Sequence, residues 1–197
     1  MSIRSLRFTL PMLALSLVGP ASQAAAEPQT FQTDGNHTRI RFVAETALFD
    51  VDGWFDKYAL NIKGDPEQLK DVDINVEIDA ASINTQNAKR DEHLRSADFF
   101  DVAKYPKITF KSTKVTKKGK GGIVVEGDFT MHGVTKKIKF PFKAVKAKNA
   151  AGVEEYTYRG ELTIDRNDYG VGTDSIAAKI TLQDEVKIAL VIAGFFK

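Results

Sequence analysis

Three histidines, His37, His93 and His132, supply all the imidazole of the chain, and there is no cysteine. Their spacing matches no zinc signature, which needs His or Cys at short fixed intervals. His93 lies in the densest charged run, Arg90-Asp91-Glu92-His93-Leu94-Arg95. An imidazole beside carboxylates can serve as a general base or hold a metal. An enzyme acting on a lipid head group could therefore be built from His93, Asp91 and Arg90 at the mouth of a binding site. The same residues at a helix end also make a hydrogen-bonded structural network. That second reading outweighs the first, because no nucleophile or oxyanion site accompanies the cluster. A further polar stretch, Asp165-Arg166-Asn167-Asp168-Tyr169-Gly170, could bring Arg166 to a polar head group. A strand end followed by a turn closed on Gly170 accounts for it more simply. No catalytic residue and no metal site are assigned.

The elements that must position these groups are strands. Val72, Ile74, Val76 and Ile78 alternate with polar residues, as do Ile40, Phe42 and Ala44, then Ile138, Phe140 and Phe142. Tyr156, Tyr158, Leu162 and Ile164 continue the pattern, and Val186, Ile188, Leu190 and Ile192 close the chain. A period of two is the mark of strands with one buried face. In the last run Ala189, Val191 and Ala193 make the second face apolar too, so it is expected to be covered on the outside. Pro141 is expected at a bulge or rim, since it cannot donate to a ladder. Lys118-Gly119-Lys120-Gly121-Gly122, His132-Gly133 and Asn149-Ala150-Ala151-Gly152 read as turns. Only Gln86 to Arg95 has helix-forming composition.

About eight strands, hairpin connections and a single short helix predict an all-β, eight-stranded antiparallel barrel, with a sandwich as the alternative. Alternation phase alone puts Ile40, Phe42, Phe55, Ile74, Val76, Phe110, Phe129, Phe140, Phe142, Tyr158, Leu162, Ile188 and Leu190 on the inner wall. Phe99 and Phe100, after the charged run, suit a lid or a stretch of wall. Whether such a barrel is hollow or filled depends on rotamers and barrel shear.

Residues 1–26 read as a cleaved secretory signal: Arg4 and Arg7, then an apolar run from Leu10 to Val18, then Ala24-Ala25-Ala26. The apolar run is too short to span a bilayer, which takes ~20 residues. Export then ends in solution, with the periplasm as the expected compartment and 27–197 as a single domain. Loss of Arg4 and Arg7 takes the 28 basic residues to 26 against 26 acidic ones, which gives no sign of a nucleic-acid binder. The charge is unevenly placed. Ten lysines and two acids lie between Lys114 and Lys148, whereas ten acids and four basic residues lie between Asp65 and Asp101. Such asymmetry can steer an anionic group or surface, although charged strand faces are usually just solvated. An outer-membrane barrel is a further possibility, with Phe195-Phe196 at the end, but uneven strands and an intervening helix fit it poorly.

The segment Arg90 to Asp101, followed by Tyr105-Pro106-Lys107-Ile108-Thr109-Phe110, resembles the signature of the YceI-like family. The resemblance extends to Asp34-Gly35-Asn36-His37-Thr38, Gly53-Trp54-Phe55, Ser82-Ile83-Asn84-Thr85, Gly127 to Lys136, Asp165 to Gly170 and Asp184 to Ile188. Many members carry a second His four residues after the Phe of the first long strand, where this chain has Thr46. The resemblance implies a lipocalin-like barrel, periplasmic or secreted. It also implies a non-enzymatic carrier of a long amphiphile in an apolar tunnel, whether polyisoprenoid, isoprenoid quinone or fatty amide. No cofactor is implied beyond such a bound lipid, and side-by-side or swapped homodimers are compatible with it.

Overall fold

The computed structural model describes residues 28–65, 69 and 72–197; the expected signal segment lies outside them. Eleven strands form one antiparallel sheet: β1 Gln29–Thr33, β2 Arg39–Thr46, β3 Asp50–Phe55, β4 Tyr58–Gly64, β5 Asp73–Asp79, β6 Ile83–Asn84, β7 Lys107–Lys118, β8 Gly122–Met131, β9 Val134–Lys148, β10 Glu154–Asp165 and β11 Leu182–Phe196. Eight of them close a ring in the order β1-β4-β5-β7-β8-β9-β10-β11, with β11 pairing back onto β1. The other three extend lanes already present. β2 follows β1 along the same edge of β11, β3 precedes β4, and β6 follows β5. The result is an eight-lane, up-and-down closed barrel, in which β9 before Phe142 and β10 after Gly160 part from each other.

Alternation sets the wall. Along β8 the inward positions Ile123, Val125, Phe129 and Met131 are all buried and separated by half-buried residues. The turns are those the sequence marked: β7 and β8 are joined through Gly119 and Gly121, both at positive φ. His132 and Gly133, at φ 51° and 76°, form the tight β8–β9 turn. Two successive positive φ values are what a two-residue hairpin matched to strand twist requires. Pro141 is not at a bulge, since the β8–β9 register runs unbroken through Val124↔Pro141. It lies next to Phe142, where pairing of β9 with β10 stops. Having no N–H to offer, Pro141 suits a lane losing its partner on one side.

One end of the barrel is stoppered. Helix α1 (Ala88–Arg95), the loop after it, a 3₁₀ turn at Arg166–Tyr169 and a second short helix, α2 (Ile176–Thr181), pack there. Helix α2 was not apparent in the sequence. Its core contribution is one buried residue, Ala178, while Ile176 and Ile180 face solvent, so it has no periodic apolar stripe. Ile83, Phe99, Ile108, Tyr169 and Val171 form the core of this end.

The outside of β11 is covered at Ala193, as its apolar face suggested. The Asp34–Thr38 turn folds over it, and Thr38 is fully buried. The Thr38 hydroxyl accepts from the Ala193 N–H at 3.2 Å and donates to its carbonyl at 3.3 Å. Replacing Thr38 with Val keeps the shape and strands the Ala193 N–H, while the Ala193 carbonyl keeps the Asp34 N–H. This variant should lose roughly 1–3 kcal/mol in urea unfolding with an unchanged m-value.

Candidate functional site

An apolar cavity of ≈ 220 Å³ runs along the barrel axis, from Phe99, Val171 and Ile83 at the stoppered end to Gly64, Leu69 and Phe196 at the other. All eight lanes contribute to it, and nearly every atom it exposes is carbon. Of the expected wall residues, Ile40, Phe42, Phe55, Ile74, Val76, Phe110, Phe129, Phe140, Phe142, Tyr158, Ile188 and Leu190 line it. Phe99 and Phe100 line it as well, so the segment after α1 is wall rather than a detached lid. Leu162 is the exception, half-buried and outside the lining. Its parity is still inward, since its partner Ile188 and, two residues on, Ile164 both line the cavity.

The interior is hollow because its largest rings lie against the wall. Phe42 is paired with Gly53 across the β2–β3 ladder, and a Cβ on Gly53 would stand 2.2 Å from the tip of the Phe42 ring. Phe142 is paired with Gly160 in the same way, with 2.7 Å between that ring and a Cβ at Gly160. The glycine removes the side chain over which each ring would have to climb, so the ring drops onto the neighbouring strand instead of crossing the lumen. Phe140 and Phe142 also stack on each other, with centroids 4.7 Å apart.

The charged cluster is elsewhere and is fully occupied. Asn87 caps α1 by accepting from the Arg90 N–H. Asp91 is 7% exposed and accepts from the backbone N–H and the hydroxyl of Thr85, at 2.8 and 2.6 Å. Arg90 donates through Nε to the Thr85 hydroxyl and through Nη2 to the Thr85 carbonyl. Arg95 donates to the carbonyls of Ala81 and Ile83. His93 faces Asp98, not Asp91, and lies edge-on to Phe99. The run therefore ties α1 to β6. Neither Arg90, Asp91 nor His93 borders the cavity.

The remaining polar candidates are equally local. His37 pairs with Asp34, whose carboxyl is held below its ordinary range first by that hydrogen bond and then by the Asn36 N–H. His132 Nδ1 faces the Tyr169 carbonyl at 3.0 Å. Thr46 closes the β2–β3 turn, donating to the Phe49 carbonyl. Arg166 does border the cavity and is 4% exposed, but its guanidinium is turned to protein: Nε to the Gln183 carbonyl, Nη1 to the Val171 carbonyl and Nη2 to Asp184. Among the described residues no three His, Cys, Asp or Glu side chains gather as a metal would need. Sequence alternation did not mark Arg166 as buried, nor Val171 and Leu182 as wall, because they belong to turns and junctions without a period.

The fold is a closed antiparallel barrel with an apolar lumen, and among the described residues no reactive groups converge on it. Comparison with known proteins agrees on the fold. The YceI-like domain model matches residues 31–193, and the chain belongs to that family. A UPF0312 protein of Vibrio parahaemolyticus is 35% identical over 161 residues, covering 81% of this chain and 85% of the relative. A UPF0312 protein of Shewanella sp. is 32% identical, covering 92% and 94%. The crystal structure of Burkholderia cenocepacia BcnA superposes with a TM-score of 0.75 at 25% identity, covering 83% of this chain and 99% of that one. The Campylobacter jejuni YCEI protein gives 0.68 at 29%, covering 75% and 85%. A polyisoprenoid binding domain from Saccharophagus degradans shares the fold, with a TM-score of 0.61 at 17% identity, covering 86% and 97%.

Two outcomes test this description. Asp91→Ala leaves the Thr85 donors stranded and should cost roughly 2–4 kcal/mol in chemical denaturation, whereas His93→Ala, exposed, should cost under about 1 kcal/mol. Gly53→Ala, which forces the Phe42 ring inward, should cost about 1–3 kcal/mol by the same measurement.

Proposed function

We propose that this chain is a binding and carrier protein for a long amphiphilic lipid of the polyisoprenoid, isoprenoid quinone or fatty amide class, held in the barrel interior. The observation that carries the reading is the lumen itself. A void of ≈ 220 Å³ costs a fold on the order of 5 kcal/mol relative to a filled core. A stable fold gains nothing from keeping such a space, whereas a hydrocarbon chain entering it recovers ~25 cal/mol per Å² taken from water. The polyisoprenoid-binding description of the Saccharophagus degradans domain supports the same class of ligand. The head-group enzyme, the alternative weighed above, finds no support in Arg90, Asp91 or His93, whose partners are structural and local.

The carrier would act in the periplasm, after cleavage of residues 1–26 from a domain spanning 27–197. No helix among the described residues is long and apolar enough to cross a membrane.

Native mass spectrometry of the protein taken from the periplasm, followed by solvent extraction and lipid mass analysis, tests the proposal. A stoichiometric prenyl lipid, quinone or fatty amide is the expected result. A clean apo mass, unchanged after incubation with such lipids, would sink the reading. Phe140→Ala and Phe142→Ala reshape the wall without touching the pairing of β8, β9 and β10. Each should weaken lipid binding several-fold while unfolding stays cooperative.

A further inference from the structure

Among the described residues, the four most exposed large apolar side chains are gathered at one place on the stoppered end. Leu48 and Phe49, at the tip of the β2–β3 hairpin, are 90% and 59% exposed, and Ile176 and Ile180 on α2 are each 75% exposed. A hydrogen bond joins the two elements. The Ala47 N–H donates to the Thr181 carbonyl at 3.0 Å, so Leu48 adjoins one side of that bond and Ile180 the other. Ile176 and Ile180, four residues apart, stand on one outward face of α2, whereas the residue that α2 buries is Ala178. The hairpin tip is a fixed turn. The Thr46 hydroxyl accepts from the N–H groups of Leu48 and Phe49 and donates to the Phe49 carbonyl.

At such exposures the four side chains add nothing to the core. One exposed aliphatic needs no explanation, but a cluster marks a surface that meets something apolar. Two features decide what that is. A stable dimer buries ~800 Å² and about 20–30 residues on each partner, far more than four side chains on two projecting tips supply. The ionised groups nearby are of both signs, so no charged partner is favoured. Glu45 is paired with Lys187, Asp50 and Glu185 lie near the same lysine, and Lys179 is on α2 itself. Behind the patch lies the lumen: Leu182, the C-cap of α2, and Ala44 both line it.

We propose that the β2–β3 tip and α2 form a bilayer-docking surface, with Leu48, Phe49, Ile176 and Ile180 entering the boundary between head groups and acyl chains. The choice of a bilayer rests on the cavity being a lipid site, since a long amphiphile partitions into membranes. Docking sets the barrel on the membrane by its stoppered end. The attachment is driven by apolar area, so it needs no anionic lipid and survives salt that screens charge contacts.

The test is flotation of the intact protein with phosphatidylcholine vesicles, and with vesicles containing added phosphatidylglycerol, at low salt and at about 0.5 M salt. The native protein should float with both kinds of vesicle at both salt concentrations. L48S/I180S, which removes one aliphatic from each element, should partition about tenfold less with its thermal unfolding unchanged. V145S, which removes a half-exposed apolar side chain from β9 near the open end, should float like the native protein. Absence of flotation, equal flotation of L48S/I180S, or flotation that needs phosphatidylglycerol and disappears in salt would overturn the docking surface. So would a dimer in sedimentation velocity that L48S/I180S dissociates, since the patch would then belong to a second copy of the chain. Binding of farnesol from solution, measured by isothermal titration calorimetry, needs the cavity alone and should be the same in all three proteins. Its absence from the native protein would instead overturn the lipid cavity.

Discussion

The double pairing of β11 is the constraint on which this molecule depends. One edge of that strand is held by β10 over ten residue pairs, and the other by β2 and then β1. With both edges taken, the sheet is a tube. Every inward side chain then faces a lumen instead of a second layer. The chain has no disulfide to fall back on, since it lacks cysteine. Closure must be held by the ladders, by the stopper of helices and turns at one end, and by Thr38 fastening the β1–β2 turn to Ala193.

Closure by itself would favour a filled core, because dense packing is how most interiors are stabilised. Glycine and phenylalanine pairs across neighbouring strands keep this one open. Phe42 over Gly53 and Phe142 over Gly160 lay their rings along the wall, on the neighbouring strand. Aromatic area is thus buried against the sheet without occupying the axis. The same residues make the fold and make the space, so fold and binding capacity draw on one set of contacts.

The charged segment that dominates the sequence serves the stopper. Asp91, Arg90 and Thr85 form a closed set of hydrogen bonds that fixes α1 to β6, and Arg95 extends it to the preceding turn. This places Phe99 and Phe100 on the cavity wall. Its influence on the lumen is positional, acting through the loop it anchors, and that accounts for a dense polar motif in a protein whose interior is apolar.

The sequence by itself determined the parity of nearly every strand, the main hairpins, the α1 helix and the barrel class. Steric alternation is a property of two adjacent residues and needs no tertiary partner. Parity placed Ile40, Phe110, Phe129 and Ile188 on the wall correctly. Leu162 shares the inward parity of Ile164 and of its partner Ile188 yet stands outside the lining, because alternation gives the face of a strand and not how far each side chain reaches into the lumen. Whether Arg166 is buried and whether the barrel has a lumen were decided by the tertiary structure. Each depends on side chains brought together from distant lanes: rotamers of Phe42 and Phe142 set by glycines on neighbouring strands, and a guanidinium of Arg166 satisfied by Asp184, eighteen residues away. A local pattern carries no information about such meetings, since they exist only once β11 has closed the barrel.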